Sequence, residues 1–402
     1  MKNRRTIIFF SAFLLAGIIQ GQTSYDLLLK ANALAGSGKP DKVVELLSSA
    51  PGILNNSRLL NARADAKIQV GDYTGAISDC NLANDVTQYS GEYGLSRIYA
   101  SKGDVLTSLY HLEISMRSSF RKNEKEIMLD PVFARIENTP EWRQFWKKEW
   151  YSIRERKVSE AEYYIKSGNI EEARTLLLDM ESNYPGYDET IYAGALVNMG
   201  SGSFGESVKA LSSLLTRDPE NKNYLRALAS AQSSMSNPAG ASSTFTKLIS
   251  LEAEDPELFM LRAECYRKTG EWDKAMADIM RYLEIFPGSR NALSLAGKTE
   301  FSAGNNIKAL EFYSENLRLH PDDPQCYVDR GNSYFISRSW QWAIYDFSMA
   351  LDLSPENSDA WLTKGIALVN SGKTEDACHD FRQAFRLGNK SAVEYISKYC
   401  IK

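Results

Sequence analysis

The chain has 402 residues, with 47 basic and 51 acidic side chains and a formal net charge of −4. A general binder of nucleic acid or acidic lipid needs a basic face, so this balance argues against both classes. Aromatic residues make up 11% of the chain and polar low-complexity runs are absent, which argues against a largely disordered protein.

The N-terminus has the pattern of an export signal. A region with three basic residues precedes an apolar run from Ile7 to Ile19, which is too short for a comfortable membrane span. Gly21 offers a small residue before a cleavage site, although Ile19 fits the −3 position poorly. We predict a signal peptide over residues 1–21, with an uncleaved anchor as the alternative. No cysteine lies near the site, which argues against a lipid-anchored lipoprotein.

Residues 22–119 contain about three weak repeats, each with a small residue followed seven positions later by glycine. These pairs are Ala31 and Gly38, Ala64 and Gly71, and Ser96 and Gly103. The first repeat is the most degenerate because Pro40 lies near the start of its second helix. Terminal repeats of stacked arrays are often atypical in this way.

Residues 120–153 break the repeat and form a Trp-rich helical insertion. Pro131 and Pro140 predict two short helices, because proline is favoured in a first helical turn. Three tryptophans follow at a spacing of four residues, which predicts that they share one helix face. They are Trp142, Trp146 and Trp150. One interpretation is an aromatic interaction surface; the favoured alternative is packing that joins two repeat arrays, since buried aromatics usually serve packing.

Residues 154–391 repeat every 34 residues, seven times. A small residue recurs in the middle of each first helix, where it allows a second helix to approach closely: Ala161, Ala195, Ala229, Ala263, Gly297, Gly331 and Gly365. Seven residues later, a turn position holds glycine in five units, with Ser236 and Arg338 as exceptions. Glycine suits a helix end because it takes positive φ at little cost. The pattern predicts seven helix–turn–helix units.

This period resembles that of the tetratricopeptide repeat family. The aromatic positions agree with the family pattern: Tyr266, Trp272, Tyr327, Tyr334, Trp340 and Trp361. The resemblance implies an all-α fold, a right-handed solenoid of helix–turn–helix repeats with an insertion.

The tail over residues 392–402 is expected to be a capping helix. Val393, Ile396 and Tyr399 recur at a spacing of three, so one apolar stripe can cover the open face of the last repeat. Cys378 and Cys400 lie close to each other if the tail folds back, and the sequence leaves open whether they pair.

No catalytic or cofactor motif is found. The three histidines fall on different units, and the chain lacks G-x-S-x-G, H-E-x-x-H, a phosphate-binding loop and any Cys/His ligand spacing. We therefore predict a protein that is not an enzyme and needs no cofactor or metal.

The resemblance also implies an inner groove lined by the first helix of each unit. In the last three units the corresponding positions mix apolar residues with amides, which suits an extended peptide or an amphipathic helix. The candidate groove residues are Lys298, Phe301, Val328, Asn332, Phe335, Leu362 and Ile366. The alternative is that the apolar residues only pack against neighbouring helices. The carboxylate clamp of the family's co-chaperones is not matched in any three consecutive units.

We therefore expect a scaffold or adaptor for protein–protein interaction, without nucleic acid as partner, acting as a monomer or in a hetero-complex. Together with the export signal, this places it in the periplasm or at the outer membrane of a bacterium, in secretion or envelope assembly. The alternative function is a self-assembling structural subunit that uses Trp340, Trp342 and the Trp-rich insertion as contacts.

Overall fold

The computed structural model describes residues 23–251 and 254–400, and these residues contain helices and turns but no strand. The predicted all-α class is therefore confirmed. The predicted signal peptide lies outside the described residues. Within the described ranges, every helix is too short or too polar to span a bilayer. The chain divides into two compact units, Met1–Ser201 and Gly202–Lys402.

The first unit holds eleven described α-helices, several of which start at a side chain that caps the backbone, and two short 3₁₀ helices, Ile53–Asn55 and Pro131–Arg135. Asn56, Asp72 and Asp104 each accept a hydrogen bond from the backbone N–H three residues later. The helices are α1 (Ser24–Gly36), α2 (Pro40–Ser48), α3 (Ser57–Val70), α4 (Tyr73–Val86), α5 (Glu92–Ser101), α6 (Val105–Arg117), α7 (Glu124–Met128), α8 (Pro140–Phe145), α9 (Ile153–Lys166), α10 (Ile170–Asn183) and α11 (Asp188–Gly200).

The second unit alternates second and first helices of successive repeats and ends with a short terminal helix. Its described helices are α12 (Phe204–Arg217), α13 (Lys222–Ser234), α14 (Pro238–Ser250), α15 (Glu257–Thr269), α16 (Trp272–Ile285), α17 (Arg290–Ser302), α18 (Asn306–Leu319), α19 (Pro324–Ile336), α20 (Trp340–Leu353), α21 (Ser358–Asn370), α22 (Thr374–Arg386) and α23 (Ala392–Tyr399). The regular spacing of the starts reflects the sequence period.

The small residue of each first helix is the contact point within a repeat. In three repeats it is a glycine that faces a ring of the second helix, and in two of them the ring is very close. A Cβ added at Gly297 would lie 2.4 Å from the ring of Tyr313, and one at Gly365 would lie 2.6 Å from the ring of Phe381. Both distances are too short for real atoms, so glycine is required wherever the ring sits this close.

The turn position between the two helices takes a left-handed conformation. Gly270, Gly304 and Gly372 have φ of 79°, 83° and 84°. The two exceptions follow the same path, with φ of 56° at Ser236 and 58° at Arg338. The tertiary packing of the repeat therefore imposes this backbone even on residues with a Cβ, at a cost of roughly 1 kcal/mol each.

The tryptophans of the insertion do not share one helix face, and that prediction is wrong. Helix α8 ends at Phe145, and Trp146 is its C-terminal cap. Trp150 lies beyond the helix, where its indole N–H donates to the carbonyl of Phe145 at 2.9 Å. The rings of Phe145 and Trp150 stack with centroids 4.7 Å apart. The Phe145 carbonyl at the end of the helix thus accepts from the indole and also from the backbone N–H of Lys148 at 3.3 Å.

The terminal helix α23 packs on α22 partly through the predicted stripe, since Ile396 and Tyr399 lie against the cluster around Phe381 and Val393 does not. Ala392 is buried and Tyr395 stacks on Phe381 at 5.2 Å, whereas Val393 is half exposed. A disulfide joins Cys378 of α22 to Cys400 at the end of α23. The pairing that the sequence left open is therefore present, and it fastens a helix of only eight residues to the last repeat.

Candidate interaction surface

Helices α17, α19 and α21 are the first helices of three successive repeats. We call the solvent-facing side that carries their candidate residues the first-helix surface. It carries all seven candidate groove residues. Side chains bridge α17 and α19 directly, since Ser294 and Lys298 both reach Asp329. The surface therefore lies within the second unit and is built on connected elements.

Asp329 is the polar centre of this surface. Its side chain is 5% exposed and accepts hydrogen bonds from Ser294 and from the amide of Gln325, the latter at 3.0 Å. Lys298 completes the arrangement with its ammonium 3.2 Å from the carboxylate. A buried carboxylate needs such partners. Lys298 is thus committed to an internal ion pair, although 47% of its side chain remains exposed.

The apolar candidates are shared between the surface and the core. Val328 and Phe335 are half-buried against the cluster around Phe347, while Leu362 and Ile366 are half-buried against the cluster around Phe381. Packing therefore accounts for part of each side chain, and an edge of each remains accessible.

Aromatic, amide and aliphatic side chains of α17 and α19 complete the first-helix surface. Phe335 meets the ring of Trp340 at 5.4 Å and 72°, an edge-to-face contact that fixes its orientation. Phe301 is half-buried on α17, and Asn332 is exposed on α19. Beside Phe335, Ile336 is 64% exposed, which makes it the most accessible apolar side chain of α19.

A recurring ion pair was missed by the sequence reasoning. In four repeats, a basic residue of the first helix contacts an aspartate sixteen positions later in the second helix. The pairs are Arg63–Asp79, Arg262–Asp278, Arg330–Asp346 and Lys364–Asp380. The constant spacing was visible in the sequence and could have revealed them. The hydrogen bond to Asp346 raises the pKa of Arg330, so Arg330 stays charged and joins the two helices of its repeat.

The tryptophans of the insertion are mainly packed. Trp142 is buried, and Trp146 and Trp150 are partly buried against the same core cluster, which supports the packing interpretation. Exposed apolar side chains near the insertion include Leu129 at 69%, and Leu106 and Tyr110 at 72% and 63%, one turn apart on α6. Their spacing on a second helix was available in the sequence but did not stand out.

The two tryptophans of the self-assembly alternative differ in exposure. Trp340 is half-buried against Phe335, whereas Trp342 is 63% exposed on the outward face of α20. Among the described residues, no group of three His, Cys, Asp or Glu side chains is placed to hold a metal ion.

Comparison with known proteins agrees with this architecture. A family model described as tetratricopeptide repeat matches residues 226–290. The chain is 26% identical over 162 residues to human tetratricopeptide repeat protein 13, covering 39% of this chain and 19% of that protein. It is 31% identical over 87 residues to the bovine protein SGT1 homolog, covering 22% of this chain and 26% of that protein. The chain thus spans about a fifth to a quarter of the length of these curated relatives.

A solved structure shows the same fold. The crystal structure of a tetratricopeptide repeat protein from Parabacteroides merdae superposes with a TM-score of 0.50 at 19% identity, covering 61% of this chain and 97% of that one. Paired helices repeating every 34 residues define a helix–turn–helix repeat protein of the α-solenoid class. Residues 226–290 match the model of the tetratricopeptide repeat family, and the described helix pairs have the fold of such a repeat protein. Proteins of this family and fold are typically non-enzymatic scaffolds that bind other proteins.

Proposed function

We propose that this chain is an adaptor of the bacterial cell envelope that binds a peptide or helix of a partner protein along the first-helix surface. One observation carries the proposal: accessible apolar edges, such as those of Phe335 and Leu362, alternate with the exposed amide of Asn332 on neighbouring helices. A bound peptide needs apolar pockets for its side chains and amide partners for its backbone.

The charges of the surface indicate how such a peptide is held. Because Lys298 is tied to Asp329, binding of a ligand carboxylate there would have to compete with an existing ion pair. The main binding energy is therefore expected from apolar contacts and amide hydrogen bonds. Binding of this kind depends weakly on salt, since screening acts on exposed charges.

We also propose that the protein is exported to the periplasm or to the outer-membrane surface. The basic and apolar N-terminal pattern supports export. The disulfide between Cys378 and Cys400 supports it independently, because such bonds persist in oxidising compartments and are rare in the cytosol.

Affinity capture from envelope extracts tests the binding surface. Asn332→Ala and Ile336→Glu change exposed side chains of α19, and each should weaken binding of the captured partner by about tenfold or more. Ile307→Glu is the matched control, because Ile307 is 78% exposed on the second helix α18. Phe335→Glu with Leu362→Glu, checked for folding by circular dichroism, should abolish capture. Equal capture by all variants would exclude this surface.

Cell fractionation tests the location separately. The protein should be recovered with periplasmic or outer-membrane material, and its N-terminus should lie near Gln22. Recovery of the uncleaved chain in the cytosol would contradict export while leaving the binding surface untouched.

A further inference from the structure

Helix α20 exposes an apolar stripe on the outward side of its repeat. Trp342 and Tyr345 are 63% and 54% exposed, Leu353 is 42% exposed and Met349 is half-buried. Steps of three and four residues keep these side chains on one helix face. We call these four residues the α20 stripe.

Neighbouring second helices do not share this feature. The same four positions, 34 residues earlier or later, hold mostly charged or polar side chains. On α18 they are Lys308, Glu311, Glu315 and Leu319, and on α22 they are Asp376, His379, Gln383 and Leu387. The repeat fold therefore does not require apolar residues here. A contiguous apolar patch of this kind on a soluble surface marks an interaction site.

The largest side chain of the stripe is held in place before any partner arrives. The Trp342 ring lies against Tyr334 of α19, with centroids 6.1 Å apart and planes 30° apart. The guanidinium of Arg330 in turn lies 5.9 Å from the centre of the Tyr334 ring. An immobilised aromatic anchor loses little conformational entropy on binding.

The charges at the two ends of the stripe indicate the occupant. Arg338 is exposed just before α20, and Glu356 is exposed just after it. Neither has an ion-pair partner within the described residues, and Glu356 is oriented by a 2.6 Å hydrogen bond from Ser354. Arg338 also occupies a left-handed turn position, with φ of 58°, where five other repeats have glycine.

We propose that two copies of this chain associate by packing their α20 stripes antiparallel about a twofold axis. In that arrangement Trp342 faces Leu353 of the other copy, Tyr345 faces Met349, and Arg338 meets Glu356. The order of charges and apolar residues along α20 is self-complementary, which is what a twofold interface requires. The first-helix surface takes no part, so this proposal stands or falls independently of peptide binding.

Sedimentation equilibrium of the purified protein tests the dimer. The wild type should form a reversible dimer with a dissociation constant of about 1 to 100 µM, as expected for a weak interface of modest area. Trp342→Glu combined with Tyr345→Glu should raise the dimer dissociation constant at least about tenfold. Ile307→Glu, an exposed apolar residue replaced on α18, should leave it unchanged.

Charge reversal tests the antiparallel order. Arg338→Glu and Glu356→Arg should each weaken self-association, because like charges then meet at both ends. An equimolar mixture of the two variants should form a heterodimer of wild-type strength, since both contacts become complementary. A wild type that stays monomeric overturns the proposal. So do charge variants that associate as strongly as the wild type, or an equal loss with Ile307→Glu.

Discussion

The guanidinium of Arg330 donates two parallel hydrogen bonds to the carboxylate of Asp346. Its Nε donates to Oδ2 at 2.8 Å and its Nη2 donates to Oδ1 at 2.7 Å. The Asp346 side chain is only 1% exposed, so the pair ties α19 to α20 inside the repeat. Arg330 also lies 5.9 Å from the centre of the Tyr334 ring, and the same ring packs against Trp342.

Removal of one partner should therefore be costly. Arg330→Met leaves a buried carboxylate without its counter-ion and should lower the free energy of unfolding by about 3 kcal/mol. The double variant Arg330→Met with Asp346→Leu should recover most of the loss, because no charge then remains buried. Urea unfolding followed by circular dichroism measures both. A single variant as stable as the wild type would show that the pair carries little of the repeat's stability.

Gly365 should not tolerate even one methyl group. In Gly365→Ala the new Cβ lies where the ring of Phe381 now packs, so we expect a loss of about 2 kcal/mol. Phe381→Leu in the same chain should relieve the clash and restore part of that loss. Thermal melting of the two variants and the double variant provides the test, and additive losses would argue against the contact.

Arg338→Gly should stabilise the protein slightly. The left-handed turn strains a residue with a Cβ, and glycine relieves that strain while adding freedom to the unfolded chain, for a net gain of about 0.5 kcal/mol. Gly304→Ala, at the corresponding turn of the preceding repeat, should lose about 1 kcal/mol. The denaturation midpoints should shift in opposite directions. Arg338→Gly should also weaken the proposed dimer. A variant that is more stable but dimerises less would distinguish the backbone strain of Arg338 from its contact with the second copy.

Reduction should loosen the C-terminal helix. A helix of eight residues is marginal by itself, and the bond between Cys378 and Cys400 closes a loop with a sequence separation of 22. Cys400→Ser should cost about 3 kcal/mol and raise amide exchange in α23. A thiol reductant should reproduce this effect in the wild type and have no further effect on the variant. Unchanged exchange in α23 would mean that Tyr395 and Ile396 suffice to hold it.

Sequence periodicity predicted the all-α repeat fold because small residues and turn positions mark each helix pair directly. The course of the insertion could not be read in this way. Its tryptophans have helical spacing, but the helix ends at Phe145 and Trp150 lies beyond it, with its indole hydrogen-bonded to the Phe145 carbonyl. Asp329 was equally hidden, because its partners come from two different repeats and no period relates them.

The candidate surface was predictable in position but not in exposure. The repeat register placed Phe335 and Leu362 on neighbouring first helices. Only the structure shows how much of each side chain is buried against the core. The α20 stripe was not predicted from the sequence either. Its apolar residues differ from the polar residues at the equivalent positions of α18 and α22, but this difference is informative only once the solvent-facing side of each helix is known.

The close fit of glycine under a ring affects how repeats of this chain can be recombined. A chimera that joins the first helix of the Ala263 repeat to the second helix of the Gly365 repeat would press a methyl group into Phe381. Exchanges that move both helices together keep each matched pair intact. The unit of exchange in this array is thus the helix pair, and a crossover should fall in the loop after a second helix.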